Sequence, residues 1–380
     1  MLTRHRTIPT LLALVLLGGC ATVIAHPSKT HTRTIDKTEA VTPTTQVTVE
    51  NLVGHVEVTQ GSKQLVIHAS VVAGGEDAAA AEALANTIKL DVNRNGDQLT
   101  VHVNYPVDTH DSYRYNPTQS TSGDNDDGFS IFGLHIGNFG SSSLDYQGQT
   151  VHVYKGDTDN GVPLHVDLAI QLPAGIHATV KNHVGSMHAR QLSGTLSLDS
   201  DNGDIQAHTI DGALSIDTSN GDVVVDGLKG RLDISTDNGD VNLSGIDGPL
   251  NAKTDNGDIE GHRIAGAVKA NTGNGDITLK NVKVQSTLRI NSGKGDIHIE
   301  GDLSKLADFH LESGMGDIDL VTQTPPPVHL DIQTGMGDIN VHWSGLTQVE
   351  SDDNSYRADV GTAQGNGRIE SGMGDVTLSR

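Results

Sequence analysis

The dipeptide Gly-Asp followed by Ile or Val recurs at Gly203-Asp204, Gly221-Asp222, Gly239-Asp240, Gly257-Asp258 and Gly275-Asp276, at a constant spacing of 18. Gly185 stands one such step earlier, in a degenerate copy with Ser186-Met187. The series continues at Gly295-Asp296, Gly316-Asp317 and Gly337-Asp338, spaced by 20, 21 and 21, and ends at Gly374-Asp375 after a further 37. A period of about 20 residues marks an architecture of stacked repeats, each too small to bury a core by itself.

The copy from Gly221 to Asn238 shows how. Val223 and Val225 alternate with outward positions, Leu228 precedes a turn at Gly230, and Leu232 and Ile234 alternate again before Thr236, Asp237 and Asn238. That is two short half-buried strands and two turns per coil. Stacked coils about 4.8 Å apart would merge these few apolar side chains into one core, and nine coils would make a rod about 40 Å long. The predicted fold is all-β, a β-solenoid resembling a parallel β-helix, with two-strand coils of about 18–21 residues. Equal periods place Thr218, Thr236, Thr254 and Thr272 in one ladder. Asn-Gly between alternating strands is also a strong hairpin signal, so an antiparallel meander stays open as the rival geometry.

Composition agrees: 44 glycines and only 3 % aromatic residues in 380 point to a turn-rich β protein with an aliphatic core. The net charge of −23 disfavours nucleic acid, which needs a basic stripe, and anionic lipid for the same reason. A divalent cation or a neutral glycan is compatible with that surface.

Arg4-His5-Arg6, an apolar run from Leu11 to Leu17, and Leu17-Gly18-Gly19-Cys20 open the chain. The run is too short to span a bilayer and fits an export signal. The segment resembles the bacterial lipoprotein signal, a Leu, two small residues and a Cys. That resemblance implies cleavage behind Gly19 and lipid attachment to Cys20, the chain's one cysteine. With Ala21 rather than Asp next, it implies the outer rather than the inner membrane.

The predicted organisation is then a signal peptide at 1–19, a flexible tether at 20–45, an N-terminal β region at 46–105, a loop insert at 106–149 and the solenoid at 150–380. The tether is rich in Thr, Ser, Pro and Lys. In the β region, residues 77–90 (DAAAAEALANTIKL) predict one short helix. The insert is rich in Gly, Ser and Asp, with Asp124, Asp126 and Asp127 clustered and a Phe129-Ser130-Ile131-Phe132 island that we read as a local tuck. The last strand, Val376-Thr377-Leu378, predicts an unpaired and therefore adhesive edge.

From Val47 to Arg380 the chain resembles the bacterial "putative adhesin" family of β-strand repeats, a family of unknown function related to adhesin head domains. The resemblance rests on the strand–turn–strand of Val47–Val58, the LAIQLPAG phrase at Leu168–Gly175 and the Gly-Asp-Ile/Val coils. It implies a solenoid-like envelope protein and carries no catalytic residues.

The most suggestive constellation is the aspartate ladder Asp204, Asp222, Asp240, Asp258, Asp276 and Asp296. Carboxylates about 5 Å apart repel by about 0.8 kcal/mol even in water, so something must offset them. The preferred reading is a bond from each carboxylate to its own turn backbone. The sharper one is Ca²⁺ bridging between coils. Met315, Met336 and Met373 replace Asn in the later turns, as bulky cover or as soft-metal ligands. The 19 histidines stand mostly between valines and leucines, which predicts solvated outward positions. Signatures of nucleophilic, metalloprotease or phosphate-loop chemistry are absent. The expectation is a non-catalytic, lipid-anchored envelope protein without a required cofactor, tied to the membrane through Cys20, with an adhesive or scaffolding role and an envelope protein or glycan as partner. The alternatives are a periplasmic stress or assembly factor that binds a protein, and a polysaccharide-active β-helix enzyme.

Overall fold

The structure is a computed structural model and describes residues 29–61, 63–115, 141–156 and 159–380. The signal segment, Cys20, the Asp124 cluster and the Phe129–Phe132 island lie outside the described residues.

The repeats form a parallel solenoid. Leu214 pairs with Leu232, Leu232 with Leu250, and Leu250 with Val268, always in parallel and always one period on. Strands joined as hairpins would be antiparallel, so the meander is excluded. Every second residue points inward: Leu232, Ile234 and Thr236 of strand Leu232–Asn238 are buried, and the residues between them are not. One apolar core runs from Val47 to Leu378 and merges the segments that the sequence separated as 46–105 and 150–380.

Two segments take places in the stack that differ from their places in the chain. At one end, strand Gln46–Val53 pairs in parallel with Ile176–Val184, and Val56 lies between Leu168 and Met187. Residues 46–60 are thus a coil directly beneath the first repeat. At the other end, strand Gly365–Met373 lies between Asp308–Ser313 and Val328–Met336. Strand Val376–Ser379 likewise lies between Ile318–Val321 and Ile339–Val341. The expected open edge at Val376–Leu378 is therefore corrected. Val376 and Leu378 are fully buried, because two neighbouring coils leave a gap that a third fills. The coil of 328–341 ends the stack instead, and strand Ser355–Val360 pairs antiparallel with its first strand.

Three local expectations change. Residues 29–40, read as part of the tether, form strand Lys29–Ala40, antiparallel to Gln64–Gly75. Thr30, Thr32, Thr34 and Thr38 supply β propensity there without apolar alternation, which hid the strand. The helix is shorter, Ala78–Ala85, with the Asp77 carboxylate accepting from the N–H of Ala80 at 2.8 Å. Asn86 ends it and Lys89–Asn95 is a strand. The flanks of the expected loop are strands Ser112–Tyr115 and Ser141–Tyr146, drawn in by burial of Tyr113, Tyr115 and Tyr146.

Candidate functional site

The Gly-Asp turns build one edge of the solenoid. A Cβ on Gly221 would lie 2.3 Å from the carbonyl oxygen of Gly203, and one on Gly239 would lie 2.1 Å from that of Gly221. No side chain fits such a column. The hydroxyl ladder predicted from Thr218 to Thr272 is present and faces inward. Thr254 donates to the Gly239 carbonyl at 3.1 Å and Thr272 to that of Gly257 at 2.9 Å. Ser292, Ser313, Ser371 and Thr334 continue it. Outside it runs an asparagine ladder in which each amide donates to the one a coil earlier, Asn238 to Asn220 and Asn256 to Asn238, both at 3.0 Å.

The six predicted aspartates do stand in one row, but their hydrogen bonds differ from the expected ones. Each Oδ1 accepts the backbone N–H of the next aspartate, not of its own turn: Asp222 N–H on Asp204 at 3.0 Å, Asp240 on Asp222 at 2.9 Å, Asp258 on Asp240 at 2.8 Å. Asp276 and Asp296 repeat the pattern. In-register stacking brings that N–H within reach, because neighbouring coils are only about 4.8 Å apart. The row extends through Asp317, Asp375 and Asp338, in that spatial order. Burial, followed by the charge of Asp240, raises the Asp222 carboxyl above its ordinary value against the lowering effect of its hydrogen bond. Among the described residues no group of three or more His, Cys, Asp or Glu is arranged to hold a metal.

Histidine supplies what the sequence did not show. His165 and His183 are buried, contrary to the expected outward positions. His183 contacts Asp201 through Nδ1 at 2.6 Å and Glu50 through Nε2 at 3.0 Å. His102 lies 2.8 Å from the other Glu50 oxygen, and the Tyr146 ring stands edge-on to His183. Burial alone would depress the His183 imidazole, yet the hydrogen bonds to Asp201 and Glu50 outweigh it and raise its pKa. The same bonds lower Glu50 and Asp201. His183 thus clamps the 46–60 coil to the repeats through Glu50 on one side and Asp201 on the other. A signal was present: His183 precedes Asp201 by one period of 18. Nearby, Tyr105 donates to the Val53 carbonyl at 2.8 Å and Tyr146 to that of Val103.

A cavity of about 490 Å³ opens over coils 221–280, where Asp226, Glu260, His262 and Lys280 surround Val224. Its polar groups mix both charges, and Arg263 at its rim donates to the Ser244 hydroxyl at 2.8 Å.

A parallel stack with glycine, hydroxyl, amide and carboxylate ladders along one edge defines a β-solenoid repeat protein. The chain belongs to the Toastrack DUF4097 family, which its residues 54–280 and 263–379 match in two overlapping spans. Among solved structures it is similar to a "putative cell adhesion protein" from Clostridium sporogenes, at 12 % identity and a TM-score of 0.18 over 91 % of this chain and 99 % of that one. It is also similar to a "putative lipid binding protein" from Parabacteroides distasonis, at 9 % identity and a TM-score of 0.30 over 91 % and 96 %. No curated protein matches the chain.

Proposed function

We propose that this protein is a lipid-anchored, non-catalytic element of the bacterial cell envelope that works through the long regular edge of its solenoid, in adhesion or scaffolding. The observation that carries this reading is the repetition of one surface chemistry. Amide and carboxylate groups recur at every coil in register, from Asn220 to Asn274 and from Asp204 to Asp338. A periodic array suits an extended partner, such as a glycan or another envelope protein, better than a single small molecule. The cavity over Val224 offers such a partner hydrogen-bond donors and acceptors of both charges. The signal segment ending in Cys20 supplies the anchor, since acyl chains in pairs or more give stable attachment.

The test is protease shaving of intact cells, with antibodies against residues 185–380. Digestion while the outer membrane is intact supports adhesion. Protection until the membrane is permeabilised favours the second reading, a periplasmic stress or assembly factor that binds a protein. The unpaired outer edge of strand Ile339–Val341, among the described residues, favours that reading too. Loss of labelled acyl chain in a Cys20→Ser variant tests the anchor separately.

A further inference from the structure

Three of the four large apolar side chains exposed among the described residues are methionines: Met315 at 41 %, Met336 at 63 % and Met373 at 43 %. They occupy the column that asparagine fills in the coils from Asn202 to Asn274. Their order in space differs from their order in the chain. Met373 pairs in register with Met336 on one side. On the other, its carbonyl accepts the N–H of Gly316, the residue after Met315. Insertion of the last coil therefore places Met373 between the other two and makes one unbroken row.

The surroundings keep that row open. Each methionine is enclosed by glycines, in Ser313-Gly314-Met315-Gly316-Asp317, Thr334-Gly335-Met336-Gly337-Asp338 and Ser371-Gly372-Met373-Gly374-Asp375. The glycines stack backbone on backbone: a Cβ on Gly372 would lie 2.4 Å from the Gly314 carbonyl oxygen, and one on Gly335 would lie 2.5 Å from that of Gly372. The flanking glycines place no side chain next to each methionine along its own strand. Neighbouring coils are about 4.8 Å apart, and three rotatable bonds in each methionine let the outer two lean toward the central one.

We propose that Met315, Met373 and Met336 form a thioether site for one soft monovalent cation of the Cu(I) or Ag(I) class. Thioether sulfur selects such ions over hard divalent ones. The ligands are neutral, so the ion keeps its charge, and the row of Asp317, Asp375 and Asp338 two residues further on supplies a favourable field. Lys294, next in the column beyond Met315, opposes binding at that end and centres the ion on Met373. Cover over the turns would account for the size of these side chains but not for their exposure.

The test is a titration of the full chain carrying Cys20→Ser, which removes the one thiol, with silver nitrate. The probe is the set of ¹³C-labelled methionine methyl resonances. The expected result is that Met315, Met336 and Met373 shift together and saturate at one equivalent, while buried Met187 stays in place and reports an intact fold. Met373→Leu keeps an apolar side chain of similar size and should weaken Ag(I) binding at least tenfold without moving the Met187 signal. Shifts that develop independently and do not saturate would overturn the proposal. So would tight binding that survives Met373→Leu, since histidines would then be the ligands.

Discussion

The backbone N–H of Asp375 donates to Oδ1 of Asp317 at 2.8 Å, across 58 positions of sequence, and Asp338 in turn donates to Asp375 at 2.8 Å. The C-terminal coil is therefore an interior layer of the stack. Truncation after Val360 should open a gap rather than trim an end. Ile369, Val376 and Leu378 are all fully buried. Losing three such side chains removes about 5 kcal/mol or more. Hydrogen exchange should show loss of protection in both 308–321 and 328–341. Loss confined to 328–341 would contradict the inserted order.

The glycine columns predict a steep difference between turns. A Cβ on Gly230 would lie 2.0 Å from the Gly212 carbonyl oxygen, whereas one on Gly96 meets nothing within 4 Å. Gly230→Ala should cost more than about 3 kcal/mol through forced separation of coils. Gly96→Ala, at φ +58°, should cost only the left-handed penalty of about 1–2 kcal/mol. Urea midpoints of the two variants decide it.

A second turn position recurs at the same step of 18, with positive φ: Gln191, Thr209, Gly227, Gly245, Arg263 and Asn281. Glycine fills only two of the six. Thr209 is exposed and β-branched, at φ +56°. Thr209→Gly should therefore raise the unfolding free energy by about 0.5–1 kcal/mol, the left-handed penalty less the added chain entropy. A lowered Tm would mean that the threonine side chain contributes more than its backbone costs.

The aspartate row should respond to loss of its acceptors and not to loss of metal. Asp240 accepts the N–H of Asp258 at 2.8 Å. Asp240→Ala should cost about 1.5 kcal/mol, the low end for a bond to a charged group. Asp240→Asn keeps an acceptor oxygen, relieves like-charge repulsion and should be close to neutral. Thermal melts in EDTA and in millimolar Ca²⁺ should coincide; a clear rise with Ca²⁺ would favour bridging between coils.

The His183 clamp gives stability a pH window. The folded pKa of His183 is raised above 6.5, so its contribution is complete below that value and is lost as pH rises through the folded pKa. Glu50 and Asp201 are lowered from 4.5 and 3.8, so theirs is present above those values and lost as pH falls through the folded ones. The clamp is strongest between about pH 4.5 and 6.5. His183→Asn leaves two carboxylates facing without their cation and should cost about 3 kcal/mol in that window. The difference in Tm from the parent protein should narrow toward pH 9, and an equal difference at every pH would remove the clamp.

The repeat made much of this legible in advance. Val223, Leu232 and Ile234 announce their inward positions by alternation, and the constant step of 18 announces parallel stacking and the Thr218–Thr272 ladder. Other features left weaker signals. The half-buried face of strand Lys29–Ala40 carries His31, Arg33, Lys37 and Glu39 beside a single apolar residue, Ile35, and burial of His183 depends on a partner, Glu50, from a segment 133 residues away.

The sequence by itself determined the coil: its length, its two strands, its glycine turns and the row of carboxylates, because identical coils stack only if their spacing repeats. Tertiary structure alone decided which coil lies next to which. Every coil presents the same edge of N–H and C=O groups, so the motif at Gly374-Asp375 matches the coil before it and the coil after it equally well. Only the closing of the whole core selects the place between Asp317 and Asp338, and the place of residues 46–60 beneath the first repeat.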